Sequence, residues 1–127
     1  MIIQVIGLPA IGKSTLIKKY KKIGTVNYEI LDIRDFHSPK REEKLIKAMS
    51  SNCKNYIVES ACWLEIASSI IILIKKSKFL HRKQILKRGE IYDDYELQSI
   101  EDEMVPADFT VYNENVFYEI LNNYLEK

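Results

Sequence analysis

Five short apolar runs punctuate the chain, separated by longer stretches in which apolar residues return every third or fourth position. Ile2 to Ile6, rich in β-branched residues and bounded by Gly7, predicts a buried strand. Further strands are predicted over 28–33 (YEILDI), 55–60 (NYIVES), 69–74 (SIIILI) and 107–114 (ADFTVYNE). Residues 13–22 set Leu16, Ile17 and Tyr20 at helical spacing with lysines on the far side, and Gly24 ends that helix. SPKREEKLIKAMSS predicts a helix with Ser38 as N-cap and Pro39 at the first helical position. The pattern is helical again over 77–88, continues over 91–104 as a second, acidic helix, and closes with the amphipathic stretch NVFYEILNNYLEK.

Strands alternating with helices imply right-handed crossovers and a parallel sheet with helices on both faces, an α/β fold. The strands read as continuous apolar runs because such a sheet is covered on both sides. Ligands of these sheets bind at the carboxyl ends of the strands. The informative positions are therefore the polar residues that follow each strand.

The first such segment carries the sharpest signal. In VIGLPAIGKST, Gly7, Gly12, Lys13 and Ser14 satisfy G-x-x-x-x-G-K-[ST] at every fixed position, between a predicted strand and a predicted helix. A loop of this kind turns backbone N–H groups toward phosphate oxygens, and the helix N-terminus adds positive potential. Residues Gly7, Leu8, Pro9, Ala10, Ile11, Gly12, Lys13, Ser14 and Thr15 are thus expected to bind a nucleoside triphosphate. Lys13 reaches its β- and γ-phosphates, and the Ser14 hydroxyl serves Mg²⁺.

Composition narrows the picture without redirecting it. The 127 residues suit one compact domain, with 46% hydrophobic and 29% charged positions. A net charge of +1 offers no argument for bulk nucleic-acid or membrane binding. The apolar start MIIQVIG is too short for a signal peptide or a membrane span. Cys53 and Cys62 read as reduced thiols of a cytoplasmic protein, since two cysteines make neither a metal knuckle nor a disulfide framework. His37 and His81 have no catalytic spacing.

With GLPAIGKST, ILDIRDF, YIVES, SIIILIKKSKFLHRKQILKRG and ADFTVYNE in this order, the chain resembles the P-loop kinases of the nucleoside and nucleotide kinase type along nearly its whole length. The resemblance implies a three-layer fold whose five-stranded parallel sheet has the order 2-3-1-4-5, with ATP and Mg²⁺ as cofactors. It further implies a carboxylate after the second strand that orients the acceptor hydroxyl. LDIRD offers Asp32 and Asp35 for this, Asp32 being nearer the strand end, and Arg34 to hold an acceptor phosphate or carboxylate. Glu59 stands where the family holds Mg²⁺ through water. Trp63 could stack on an acceptor base or belong to the core.

Residues 75–103 match the family's lid. Seven Lys/Arg fall between 75 and 88, and seven acids between 90 and 103. The family sets arginines at i and i+4 on this helix; here Arg88 has Gln84 four residues before it, and Arg82 lies further back. Arg88 and Arg82 are the candidate lid cations. Asn113, in the NEN of 113–115, stands where the family contacts adenine, or simply caps the last helix.

The expected activity is transfer of the γ-phosphate of ATP to a small acceptor, a nucleoside or nucleoside monophosphate. Two rivals are a polynucleotide 5′-hydroxyl kinase and a non-catalytic nucleotide-binding module. Neither N-K-x-D nor D-x-x-G occurs, which disfavours a Ras-type GTPase, and the length leaves no room for a motor's second subdomain.

Overall fold

The computed structural model describes residues 1–8, 11–23, 27–36, 39–49, 55–61, 64–66, 68–89 and 107–125. Its strands are β1 (Ile2–Ile6), β2 (Glu29–Asp32), β3 (Tyr56–Ser60), β4 (Ser69–Ile74) and β5 (Phe109–Val111). They form one parallel sheet in the order β2-β3-β1-β4-β5. Four α-helices accompany it among the described residues: α1 (Lys13–Ile23), α2 (Arg41–Ala48), α3 (Lys78–Lys87) and α4 (Glu114–Tyr124). None of them is long and apolar enough to cross a membrane.

Alternation along β1 sorts its side chains between two cores. Ile3 and Val5 join Ile57 and Ile72 beneath Ile17 and Tyr20 of α1 and Phe117 and Leu121 of α4. On the opposite face Val58 packs with Leu45 of α2, Ile33 and Leu64. Helices thus cover both faces, giving the three-layer α/β architecture with the strand order expected from the sequence.

The departures from the sequence reading are local. Strand β2 ends at Asp32 rather than at 33, because Ile33–Asp35 turn into a 3₁₀ helix capped by the Asp32 side chain. Strand β5 keeps only three of the eight predicted residues. Asn113 stops it from the far side by capping α4, its Oδ1 accepting from the Val116 N–H at 3.0 Å. Helix α2 begins at Arg41, not at Pro39. Lys40 precedes it in the left-handed region (φ 61°), and the first helical bond runs from the Lys44 N–H to the Lys40 carbonyl. A left-handed turn at Lys40 cannot lie inside a right-handed helix, so Pro39 stays outside it. Ser38, Gly24 and the acidic stretch 91–104 lie outside the described residues.

One polar side chain is wholly buried in the sheet. Gln4 Nε2 donates to the Leu64 carbonyl (2.9 Å) and to Ser69 Oγ (2.8 Å), while its Oε1 accepts from the Leu64 N–H (2.8 Å). The amide replaces the strand partner that segment 64–66 lacks. Gln4→Leu keeps the volume but orphans the Leu64 N–H, while the Leu64 carbonyl keeps its bond from the Ile66 N–H (2.8 Å), and a buried unsatisfied group costs about 1–3 kcal/mol. Urea unfolding of Gln4→Leu is expected to show a loss of that size; an unchanged midpoint would show that Leu64 finds other partners.

Candidate functional site at the carboxyl ends of the central strands

The segment after β1 has the geometry its glycines require. A Cβ at Gly7 would stand 2.9 Å from the Ile74 carbonyl oxygen, so β4 passes too close for any side chain. Gly12 has φ +97°, a conformation that L side chains rarely adopt, and opens directly into α1. Pro9 and Ala10 lie outside the described residues. Lys13 folds back over this loop, its ammonium donating to the carbonyls of Gly7 (2.6 Å) and Leu8 (3.2 Å). Burial lowers its pKa to about 8 from an ordinary value near 10.5, against the opposing pull of Glu59.

Parallel register brings the acidic residues alongside. Asp32 is level with Glu59, and Glu59 is level with Val5, so all three point to the sheet face that carries α1. The result is a contact across 45 residues of sequence: the Ser14 hydroxyl donates to Glu59 Oε1 at 2.5 Å. Glu59 is buried (7% exposed), and this short bond to a carboxylate offsets part of its desolvation.

Asp32 is held from its own loop. Arg34 grips it with a fork, Nε to Oδ1 at 3.0 Å and a terminal nitrogen to Oδ2 at 2.6 Å. The Arg34 N–H also donates to Oδ1 at 2.9 Å. These bonds from Arg34 hold the Asp32 carboxyl below its usual range, and the same fork raises the guanidinium. Arg34 lies 3.8 Å from Glu59 as well, linking the two carboxylates.

A cleft of about 1050 Å³ opens over this cluster, lined by Lys13, Ser14, Asp32, Arg34, Glu59 and Arg88 among others. That is the upper end of the range for small-molecule sites, about 300–1,000 Å³. From α3 the cleft receives Gln84, Lys87 and Arg88, which share one face at i, i+3 and i+4. Arg82 is two residues from Gln84, roughly 200° around the helix axis, and does not line the cleft. Asp35, exposed in the 3₁₀ helix, does not line it either. Trp63 lies outside the described residues.

A second cavity of about 250 Å³ adjoins the first, the two sharing Gly12, Thr15 and Gln84. Asn113 and Tyr112 line it. The two sequence readings of Asn113 are compatible: its side chain caps α4 while its loop borders a cavity beside Gly12.

Sequence reasoning passed over Lys40, Arg41 and Lys87, which also line the cleft, and Lys76, whose ammonium meets the Gly12 face. Lys40 and Arg41 were hidden by placing the start of α2 too early. Lys76 follows β4 closely and is one of seven Lys/Arg in the basic run 75–88, where nothing in the local sequence singles it out.

No protein-family model and no curated protein sequence matches the chain. Solved structures do. An uncharacterized protein from Eubacterium ventriosum superposes with a TM-score of 0.63 at 11% identity, covering 98% of each chain. A gluconokinase from Sinorhizobium meliloti superposes with a TM-score of 0.56 at 14% identity, over 97% of this chain and 88% of that one. At these identities the likeness is one of fold, an α/β architecture built on a five-stranded parallel sheet.

Proposed function

We propose that this chain is a Mg²⁺- and ATP-dependent kinase transferring the γ-phosphate to a small hydroxyl acceptor, a nucleoside or nucleoside monophosphate. The observation that carries the reading is the convergence of Lys13, Ser14, Asp32 and Glu59 from three different strand ends on one cleft beside the glycine loop. Residues Gly7 to Thr15 would cradle the triphosphate, with Lys13 released from the loop carbonyls onto it. The hard oxygen donors of Ser14 and Glu59 fit Mg²⁺, which when bound neutralises phosphate charge. Asp32, fixed by Arg34, orients the acceptor hydroxyl, and Arg88 approaches from α3.

The cleft's charge pattern favours a small acceptor over a nucleic-acid strand. Lys40 and Arg41 on its wall are followed at once by Glu42 and Glu43, which line it too. A groove for a polyanionic strand neutralises successive phosphates and binds with steep salt dependence. A mononucleotide and a single-stranded oligonucleotide with a free 5′-hydroxyl should therefore compete unequally for label from γ-labelled ATP. The mononucleotide is expected to take it, with little effect of salt. Preferential labelling of the oligonucleotide, falling steeply with salt, would assign the site to polynucleotide ends instead.

The lowered pKa of Lys13 gives this reading a pH signature. A triphosphate stabilises the charged ammonium, so binding above pH 8 must draw a proton onto Lys13. Calorimetric titrations with Mg-ATP at about pH 9, in buffers of different ionisation enthalpy, should show proton uptake that disappears toward about pH 7. Affinity should fall as the pH climbs through 8. Binding with no buffer dependence at either pH would mean that Lys13 does not meet the phosphates.

A further inference from the structure

Lys76 stands two residues beyond the end of β4, and its ammonium lies where a side chain on Gly12 would begin, 3.2 Å from the position of a Cβ there. It donates to Gln84 Oε1 at 2.8 Å. Burial lowers its pKa. Among the described residues it forms no ion pair with a carboxylate; the amide oxygen that receives it is neutral. A partly buried cation thus rests against the loop that opens α1, where the helix end already contributes positive potential. Such a charge is poorly compensated in the free protein and well placed for an anion bound at the loop. Gln84 is also the residue four before Arg88, where the kinase resemblance calls for an arginine.

We propose that Lys76 contacts the phosphates of the bound nucleotide and supplies the cation that Gln84 cannot, with Gln84 as the residue that positions it. This rests on the kinase reading of the adjoining cleft and extends it to a residue that lines the second cavity, beside Gly12. The Lys76 ammonium and the Gln84 amide oxygen meet at 2.8 Å. The pair divides one residue's work between the end of β4 and the face of α3. A Cβ at Gly12 would press on the Lys76 ammonium at 3.2 Å, so a side chain there would crowd the cation as well as strain the backbone.

The test uses the full chain, inorganic tripolyphosphate with Mg²⁺ as a probe without a base or an acceptor, and Mg-ATP. Lys76→Met should weaken tripolyphosphate and ATP binding about 10- to 100-fold, as expected for loss of one charge-assisted hydrogen bond. Lys76→Arg should keep most of the affinity, and the exchange Lys76→Met with Gln84→Arg should recover it. Gln84→Leu should lower kcat more than it raises KM, because the cation remains but is no longer aimed. Thermal melts establish that each variant is folded. Lys76→Met with wild-type affinity for tripolyphosphate, or a loss that Gln84→Arg fails to recover in a folded protein, overturns the role of Lys76 and leaves the kinase reading standing. A wild-type chain that binds neither probe overturns both.

Discussion

Lys13→Ala should reduce turnover by three orders of magnitude or more, about the loss expected when a charge aimed at the transferring phosphoryl group is removed. It should also weaken Mg-ATP binding without lowering the melting temperature at neutral pH. The second expectation follows from linkage. The folded protein holds Lys13 at about 8, below its unfolded value near 10.5, so the unfolded chain binds more protons between those two values. Stability of the free fold therefore rises with pH across that window, and below it the buried charge works against folding. Removing the charge relieves that cost, although the bonds to the Gly7 and Leu8 carbonyls are lost with it. Steady-state kinetics, calorimetric binding and a thermal melt on the one variant separate these effects. Full activity with unchanged affinity would contradict the placement of the triphosphate, and a collapsed melt would make Lys13 a structural residue.

Asp32→Asn and Glu59→Gln should fail in different ways although the two carboxylates are level on adjacent strands. Held below its usual range by Arg34, Asp32 stays anionic throughout the working pH range and is a weak base. On the proposed reading it orients the acceptor hydroxyl and accepts from it, so Asp32→Asn should lower kcat by about 10²–10³-fold, within the range of positioned proton acceptors. ATP binding should be almost unchanged. Glu59 accepts from Ser14, the other proposed Mg²⁺ donor, so Glu59→Gln should raise the Mg²⁺ concentration needed for half-maximal rate. Rates measured against Mg²⁺ and against acceptor distinguish the two. If Asp35→Asn cripples the enzyme while Asp32→Asn is silent, the acceptor lies on the outer side of the 3₁₀ helix and the account of the cleft is wrong.

What the sequence disclosed followed from how local each cause is. Ile2–Ile6 and Ser69–Ile74 are legible because central parallel strands are apolar without interruption, and the glycine loop because its fixed positions serve backbone geometry. The strand order needed the kinase resemblance; periodicity does not say which strands are neighbours. Boundaries failed where a short-range interaction overrode the pattern. Asp32 capping its own 3₁₀ helix cut β2 short, and the left-handed Lys40 delayed α2. The site residues missed share a physical reason. Lys40, Lys87 and Lys76 are ordinary lysines in any local window, and only the tertiary arrangement of α2, α3 and β4 around the loop brings them to its two adjoining cavities. Arg82, the other lid cation the sequence offers, stands on another side of α3 from Arg88 and does not line the cleft.

The central claim, that this cleft moves phosphate from ATP to an acceptor, is tested most directly by ATP consumption against a panel of acceptors with the product masses determined. The panel comprises nucleosides, nucleoside monophosphates, a 5′-hydroxyl oligonucleotide and gluconate, the last because one structural neighbour is a gluconokinase. The account predicts Mg²⁺-dependent consumption stimulated by a nucleoside or nucleoside monophosphate, with a product heavier by one phosphoryl group. ATP that binds but is consumed with none of these acceptors, leaving every product mass unchanged, would contradict it and make the chain a nucleotide-binding module.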